Sequence, residues 1–406
     1  MRIIVQKFGG TSVASSEVRE LVLRKVEQAR EQGLTPVVVV SAMGRQGAPY
    51  ATDTLIGIAR SVYKDIAARE LDQIMYCGEM ISAVVMAATL QAAGMDAAML
   101  TGGQAGIITD SGFNRARILR CDTTNIMRLL NQGKIPVICG FQGVTKDGEF
   151  TTLGRGGSDT TAAALGAALK AEMVEIYSDV DGIMTADPKI VDNARILDCV
   201  SYAEVCQLAH EGAKIIHPRA VEVAMQKNIP IVVKSTFSDA PGTLITNIAK
   251  ENISGTAVAD RIATGVTYLT DIVQIKVHLD ESMASDASFK VFRIMADSDI
   301  SVDLINVLPG QIMFTIEAEH IVRALAILKR QGYEIELLEN CAKVSVVGGG
   351  MREVPGVMAS FIEALSANKI AIFQTVDSHT SISALVSQSN VGAAVKSLHE
   401  KFSLSI

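Results

Sequence analysis

The chain has 406 residues, of which 49% are hydrophobic and 20% charged, and its formal net charge is −7. This length is too great for one small core and predicts two or three domains. The acidic balance, with no dense basic run, argues against nucleic acid as a partner. No stretch free of charge reaches a membrane-spanning length, and no signal-peptide core opens the sequence, so a cytoplasmic protein without a membrane partner is expected.

Short apolar runs alternate with helical patterns from the start of the chain to about residue 235. The runs are RIIVQ, PVVVVS, IPVICG and IVVKS, and helices are predicted over 16–32, through 93 and over 122–132. This alternation predicts an α/β fold with an open, mostly parallel sheet and helices on both faces. The polar stretch 237–255 is interpreted as the exit from this domain.

An internal repeat with an offset of 70 residues follows. Ten apolar pairs keep this register, among them Ile300 with Ile370 and Ile312 with Ile382. Each copy is predicted to run strand, helix, strand, strand, helix, and two such units would pack side by side within or between chains. Coincidence between two ordinary α/β segments is the alternative.

The first two predicted strands end in residues suited to phosphate. Lys7 precedes Gly9 and Gly10, whose backbone N–H groups could approach an anion, and a helix starts near Ser15. Ser41 follows the second strand at the same edge of the sheet. The alternatives are a tight turn with a solvated lysine, and a capping serine.

The stretch TTLGRGGSDTTAAALGAAL (151–169) surrounds Arg155 with three glycines before an alanine-rich helix. A guanidinium exposed in this way suits a bidentate contact to carboxylate or phosphate. Asp159, in the first turn of that helix, could instead be a cap.

Two further segments carry acids. Asp179, Asp181 and Asp187 follow a strand and could bind ribose or water-bound Mg²⁺, although Asp181-Gly182 is equally a turn signal. Glu79 could meet a substrate ammonium or be a favourable charge in the first turn of a helix. The sequence has neither a P-loop nor a dinucleotide fingerprint.

Together the segments KFGGTSV, VVVVSAMG, GE at 78–79, TLGRGGSDTTA and YSDVDGIMTADP resemble the aspartokinases of the amino acid kinase family. The resemblance is collinear over essentially the whole chain, and the repeat resembles the paired ACT domains of that family. It implies an amino acid kinase domain (1–245) and two ferredoxin-like βαββαβ ACT domains (262–335 and 340–406). The segments GAPYATDT and QTVDSHTSISALV look most like the diaminopimelate-sensitive isoform.

The implied reaction transfers the γ-phosphoryl group of ATP, with Mg²⁺, to the β-carboxylate of L-aspartate and gives 4-phospho-L-aspartate. This is the first step towards lysine or diaminopimelate, threonine and methionine. An amino-acid effector at the ACT domains and a homodimer or higher homo-oligomer are also implied. Because a β-carboxylate with an ordinary pKa of ~3.9 is already ionised at neutral pH, positioning and charge neutralisation suffice without a general base.

The resemblance also implies residue roles, and it assigns no side chain as a metal ligand. Lys7 neutralises the moving phosphoryl group, Asp159 orients Lys7, and Arg155 grips the α-carboxylate. The residues implied to bind ATP are Lys7, Gly9, Gly10, Ser12, Ser41, Ser178, Asp179, Asp187, Lys189 and Lys214. Those implied to bind aspartate are Thr52, Glu79, Arg155 and Ser158, and those implied to bind the effector are Asn306, Asp377 and Ser378.

Two other functions compete with this interpretation. An NAD-linked oxidoreductase would use the same α/β pattern but lacks the dinucleotide fingerprint. An amino-acid sensor without catalysis would explain the repeat, but it would not require Lys7, Arg155 and Asp159 together.

Overall fold

The structure is a computed structural model that describes residues 1–213, 215–247, 262–279, 284–351 and 354–405. The chain forms two compact units. Unit 1 comprises 1–183, 196–209 and 214–256, and unit 2 comprises 184–195, 210–213 and 257–406. The predicted continuous domain 1–245 therefore needs correction, because two of its segments pack with unit 2. Ala186 and Val191, for example, belong to the buried core of unit 2.

Unit 1 is built on an eight-stranded sheet with the order β10-β12-β11-β9-β1-β2-β6-β3. It also contains a four-stranded sheet with the order β5-β4-β7-β8. The strands are β1 (Ile3–Phe8), β2 (Thr35–Val40), β3 (Ala97–Leu100), β4 (Ile107–Thr109), β5 (Ile118–Cys121), β6 (Ile135–Cys139), β7 (Gln142–Val144), β8 (Phe150–Thr152), β9 (Met173–Ser178), β10 (Cys199–Ser201), β11 (Ile231–Ser235) and β12 (Thr243–Thr246). Within the large sheet only β11 and β12 pair antiparallel. The predicted mostly parallel sheet is confirmed.

Two predictions in this unit were less accurate. The stretch 237–255, predicted to leave the domain, contains β12, which pairs with β11 inside the sheet. Glu79 does not open a helix but lies well inside the 25-residue α3, so the first-turn interpretation of its charge is wrong.

The described residues of unit 1 form seven α-helices that pack with its sheets. They are α1 (Ser16–Glu31), α2 (Thr52–Val62), α3 (Ala68–Ala92), α4 (Thr124–Asn131), α5 (Gly157–Leu169), α6 (Tyr202–His210) and α7 (Pro218–Lys227). By length and composition α3 alone among the described helices could span a membrane, but half of its apolar stretch is buried in the fold.

Successive side chains of β1 point to opposite faces of the sheet. Phe8 packs into a core cluster with residues of α1 and α3, including Val26 and Met86. The preceding residue, Lys7, points to the opposite face, where it meets Asp159 of α5. One strand therefore supplies both a core anchor and a charged group.

Unit 2 contains a six-stranded antiparallel sheet with the order β14-β15-β13-β16-β18-β17. Its strands are β13 (Gly265–His278), β14 (Asp303–Leu308), β15 (Gln311–Glu317), β16 (Glu334–Val347), β17 (Gln374–Asp377) and β18 (Ser381–Ser387), and its helices are α8 (Ala284–Asp297), α9 (Ile321–Arg330), α10 (Val357–Ala367) and α11 (Val391–Lys401). The predicted repeat is confirmed, since β15 and β18, like α9 and α11, begin 70 residues apart.

The two copies of the repeat share their long strands. β13 and β16 pair along their whole length, with a register shift after Leu269 and left-handed residues at Asp271 (φ 59°) and Asn340 (φ 56°). The later half of β13 pairs with β15, and residues 341–347 of β16 pair with β18. Residues 402–405 after α11 form no strand. The predicted second domain, 340–406, is therefore incomplete by itself, and its fourth strand is residues 265–269.

Candidate active site

A cavity of about 530 Å³ opens in unit 1 where the carboxyl ends of β1, β2 and β6 meet the start of α5. Its walls are Lys7, Ser41, Thr52, Ile56, Arg60, Leu71, Met75, Glu79, Asn114, Phe141, Gly154, Arg155, Gly156, Gly157, Ser158 and Asp159. Ligands of parallel sheets collect at this edge. The cavity brings together seven residues that the sequence singled out: Lys7, Ser41, Thr52, Glu79, Arg155, Ser158 and Asp159.

Lys7 and Asp159 form a close ion pair at the wall of the cavity. Lys7 Nζ lies 2.6 Å from Asp159 Oδ1, and the two side chains are only 11% and 13% exposed. β1 holds the lysine and the first turn of α5 holds the carboxylate. The ammonium is thus fixed in a site with little water, where its charge acts more strongly than at the surface.

α5 is a helix whose positive end faces the cavity. Its N-cap is Gly156, in the left-handed region (φ 64°), and no side chain caps the first N–H groups. Free N–H groups and the helix dipole make such an end suited to an anion. The sequence had suggested the helix near Ser15, but Ser15 caps α1 with its own side chain by accepting from Val18 N–H.

Glu79 is the buried acid of the cavity. It is 2% exposed, and its Oε2 has no hydrogen-bond partner among the described residues. Burial raises the pKa of Glu79 well above its ordinary 4.5, against the smaller opposing effects of the Ala42 N–H and Lys7. A ligand that brings a positive charge would supply the missing partner.

Arg155 lies between two left-handed glycines, Gly154 (φ 77°) and Gly156 (φ 64°). A Cβ at Gly156 would lie 2.0 Å from the Cβ of His217, so this position requires glycine for space as well as for conformation. The Arg155 side chain itself is exposed. The loop backbone therefore fixes the point from which this side chain starts.

Two hydroxyls line the same wall. Ser41 Oγ donates to Ser158 Oγ at 2.9 Å, which joins the end of β2 to the start of α5. Thr52 is the first residue of α2. Ser41, Ser158 and Thr52 thus line the cavity, and the binding roles that the resemblance implies for them stay predictions.

Sequence reasoning missed six wall residues: Ile56, Arg60, Leu71, Met75, Asn114 and Phe141. A signal for four of them existed. Ile56 and Arg60 lie four and eight residues after Thr52, and Leu71 and Met75 lie eight and four before Glu79, so each set shares one face of a helix. Asn114 and Phe141 lie in loops with left-handed backbones (φ 65° and 68°), which no spacing predicts.

Three residues of the opening motif lie outside the cavity walls. A Cβ at Gly10 would lie 2.6 Å from the carbonyl oxygen of Ala42, so this glycine permits two loops to pack closely. The hydroxyls of Ser12 and Thr236 lie 2.7 Å apart in the interior. Gly9 lies near the ion pair, since a Cβ there would be 3.6 Å from Lys7 Nζ. Their assignment to ATP stays a prediction.

The remaining implied ATP residues are dispersed. Ser178 ends β9 and accepts from Val180 N–H, while Asp179 pairs at the surface with Arg45 at 2.6 Å. Asp187 and Lys189 belong to unit 2, where the Tyr268 hydroxyl donates to Asp187 Oδ2 at 3.0 Å. Lys214 lies outside the described residues.

The implied effector residues lie in unit 2. Asn306, on β14, accepts a hydrogen bond from Gln374 of β17. Ser378 Oγ accepts from Ser381 N–H at 3.0 Å and closes the hairpin turn that follows Asp377. Asn306 and Ser378 thus make hydrogen bonds within unit 2, and their effector role stays a prediction.

A group of potential metal ligands, Glu317, Glu319 and His320, occurs at the surface of unit 2. It contributes nothing to the cavity.

Comparison with known proteins identifies the family. The amino acid kinase family matches residues 2–235, and an ACT domain matches residues 336–400. Aspartokinase 1 of Bacillus subtilis (strain 168) is 46% identical over 405 residues that cover 100% of both chains. This chain belongs to the aspartokinases of the amino acid kinase family.

The aspartokinase of Geobacillus stearothermophilus is 40% identical over 100% of this chain and 98% of its own. The fold is shared with E. coli aspartokinase III in complex with aspartate and ADP, with a TM-score of 0.79 at 24% identity over 98% and 99% of the two chains.

Proposed function

We propose that this aspartokinase transfers the γ-phosphoryl group of Mg-ATP to the β-carboxylate of L-aspartate. One observation carries the proposal: a single cavity is lined by the Lys7–Asp159 pair, the open start of α5, Arg155 and the buried Glu79. Its anion-binding elements and its buried acid match the charges of a phosphorylated nucleotide and of an α-amino acid.

Catalysis by these residues would be electrostatic. The attacking β-carboxylate is ionised at neutral pH, and Lys7 with the N–H groups of α5 would neutralise the charge on the phosphoryl oxygens as the P–O bond to ADP breaks. Asp159 keeps the Lys7 ammonium directed at that point through the 2.6 Å contact. Because Lys7 is fixed before the substrates bind, little reorganisation accompanies the reaction.

Recognition of aspartate would use the opposite signs of Arg155 and Glu79. The guanidinium of Arg155 would grip the α-carboxylate in a bidentate contact. The buried Glu79 would take the α-ammonium and thereby gain the partner that its Oε2 lacks. Ser158 and Thr52 would complete the polar wall.

The donor set of the cavity fits Mg²⁺ bound to ATP. Its polar side chains offer carboxylate, amide and hydroxyl oxygens, and no cysteine or histidine is among its walls. Hard oxygen donors are those that Mg²⁺ prefers, and it usually enters with substrate phosphates and keeps several waters. Asp159 is the carboxylate at the phosphate end, and Mg²⁺ when bound would supply further charge neutralisation.

We also propose feedback control through the ACT repeat, with meso-diaminopimelate as the effector and lysine or threonine as alternatives. The proposal rests on the resemblance of the QTVDSHTSISALV segment to the diaminopimelate-sensitive isoform. A cytoplasmic homodimer or higher homo-oligomer formed through the ACT domains, acting at the first step towards lysine, threonine and methionine, accords with this reading.

The deciding experiment measures ADP release by the purified chain with Mg-ATP and L-aspartate, while hydroxylamine traps the acyl phosphate as a hydroxamate. ADP and hydroxamate should form in equal amounts. L-Asparagine, which lacks the β-carboxylate, should support neither. ADP release that is independent of aspartate would reject the proposal, and a panel of meso-diaminopimelate, lysine and threonine would identify the effector.

A further inference from the structure

A buried carboxylate that takes no part in the proposed chemistry lies behind the cavity. Asp72, on α3, is 0% exposed and is absent from the cavity walls. It accepts hydrogen bonds from the Thr152 N–H (2.9 Å) and the Thr152 hydroxyl (2.6 Å). The Asn114 N–H lies 3.1 Å from each of its oxygens. Burial raises the pKa of Asp72, and the hydrogen bonds from Thr152 and Asn114 act in the opposite direction.

The segments 114–116 and 152–153 are also held by a positively charged side chain, which binds their carbonyl oxygens instead of their N–H groups. Arg219, on α7, donates 2.8 Å hydrogen bonds to the carbonyl oxygens of Leu153 and Ala116. The Ala116 N–H donates in turn to the Thr152 carbonyl at 2.9 Å. The carboxylate thus takes N–H groups and the guanidinium takes carbonyls of segments 114–116 and 152–153. Asp72 is satisfied by main-chain N–H groups and one hydroxyl, and the half-buried Arg219 donates to main-chain carbonyls. A fully buried carboxylate such as Asp72 is costly unless the groups that it holds must be placed accurately.

What these segments carry is the loop of Arg155. Thr152 and Leu153 precede Gly154, where a Cβ would lie 3.0 Å from the Asn114 carbonyl oxygen. Asn114 itself lines the cavity. The main chain before Arg155 sets the point from which its exposed side chain reaches towards the cavity.

We propose that Asp72 is a positioning residue for the amino-acid end of the cavity, acting through Thr152 and Asn114 on the loop that carries Arg155. The inference rests on the proposed function, in which Arg155 grips the α-carboxylate of aspartate. A bidentate contact tolerates little displacement, and a shift of about 1 Å at a binding group can cost as much as ~100-fold. Loosening the grip of Asp72 would therefore weaken aspartate binding before it affected the phosphate end.

The test compares four variants of the full chain. Asp72→Asn keeps the shape but turns an NH₂ group towards donors, and Thr152→Val removes one hydroxyl donor. Thr152→Ser keeps that hydroxyl. The matched control is Thr109→Val, because the Thr109 and Thr151 hydroxyls form a 2.6 Å buried contact in the same four-stranded sheet, and neither of these threonines lines the cavity or donates its hydroxyl to Asp72.

Asp72→Asn and Thr152→Val should raise the KM for L-aspartate by about tenfold or more, with kcat and the KM for ATP changed by less than about threefold. Calorimetric titration with L-aspartate should show the same weakening. Thr152→Ser should stay near wild type, and Thr109→Val should lower only the melting temperature. If Asp72→Asn does not fold, Thr152→Val against Thr152→Ser carries the test.

An unchanged KM for aspartate in Thr152→Val, or a joint loss of all kinetic parameters in step with melting temperature, would overturn the inference and leave Asp72 a stabilising residue. In that case the wild-type enzyme would still show aspartate-dependent ADP release. A wild-type enzyme without that activity would instead overturn the proposed function, and this inference with it.

Discussion

The two units bury their lysines in different settings. In unit 1 Lys7 meets Asp159 at the wall of an open cavity, and the nearby Glu79 has a buried oxygen without a partner among the described residues. In unit 2 Lys343 lies between Glu211 (2.9 Å) and Asp303 (2.5 Å), and the Ser345 hydroxyl donates to Glu211 at 2.7 Å.

The electrostatics follow from these settings. Burial lowers the pKa of Lys343, but Glu211 and Asp303 outweigh that effect and raise it. For Glu79 burial dominates, and the opposing effects of the Ala42 N–H and Lys7 are smaller. A buried charge with a full set of partners stabilises architecture, whereas one with an incomplete set beside a cavity indicates a ligand that completes it.

The largest expected effect is the loss of catalysis in Lys7→Ala. Removing the fixed ammonium should lower kcat by at least about 10³-fold, because the phosphoryl group would lose the lysine that is proposed to neutralise its charge together with the N–H groups of α5. The coupled ADP assay measures it. Lys25→Met is the matched control, since Lys25 is 9% exposed and pairs with Asp239 at 2.5 Å, yet does not line the cavity. Lys25→Met should lose stability and keep kcat, and equal losses in both variants would remove the distinction between the two kinds of lysine.

The next effect concerns stability alone. Lys343→Met removes the cation that lies 2.9 Å from the buried Glu211, which should lower the free energy of unfolding of unit 2 by about 3–5 kcal/mol. Urea unfolding followed by circular dichroism, with hydrogen exchange along β16, measures and locates the loss. Adding Glu211→Gln should restore part of it, because the carboxylate that Lys343 neutralises is then gone. A single variant as stable as wild type would show that the buried pair does not stabilise unit 2.

Local signals made much of the cavity predictable from sequence. Residues at the carboxyl ends of parallel strands gather at one edge of the sheet, which is why Lys7 of β1 and Ser41 after β2 lie close together. Arg155 and Asp159 follow β8, which pairs antiparallel with β7, so this rule does not place them there. Glu79 was found by its motif, but its depth in a 25-residue helix was not. The sequence did not single out the start of α5 as an anion-binding helix end, because the capping of a helix start depends on backbone geometry.

Long-range pairing limited the rest. The repeat of 70 residues was readable, yet the exchange of residues 265–269 into the second copy was not, since a strand pattern does not specify its partner. Segment 184–195 reads as part of the kinase domain, but the Val266 N–H donates to the Thr185 carbonyl at 2.8 Å within unit 2. Contacts between residues so far apart in the sequence leave no periodic pattern in it.

A smaller effect should appear in the pH dependence set by Glu79. Its pKa is raised by burial, so as pH falls through that raised pKa the neutral acid can no longer pair with the α-ammonium. The kcat/KM for aspartate should then fall about tenfold per pH unit, and this fall should begin at a higher pH than the one at which an ordinary carboxyl group titrates.

The buried negative charge of Glu79 also lowers the stability of the fold. The contribution of Glu79 to the free energy of unfolding is complete below pH 4.5 and is lost as pH rises through the raised pKa. Glu79→Gln should therefore remove the acidic limb, lower kcat/KM and raise the melting temperature at neutral pH. A less stable variant, or an unchanged acidic limb, would contradict the incomplete set of partners assigned to Glu79.

The smallest effect belongs to Arg45→Gln, which separates burial from distance. Arg45 and Asp179 lie 2.6 Å apart, as close as Lys7 and Asp159, but their side chains are 71% and 51% exposed. Water screens such a pair, so its removal should change the free energy of unfolding by no more than about 0.5 kcal/mol, and less at high salt. Thermal melts at low and high salt measure this, with Arg2→Gln, at the exposed Arg2–Glu172 pair, as the control. A loss as large as that of Lys343→Met would mean that contact distance, rather than burial and completeness of partners, decides what a charge contributes in this protein.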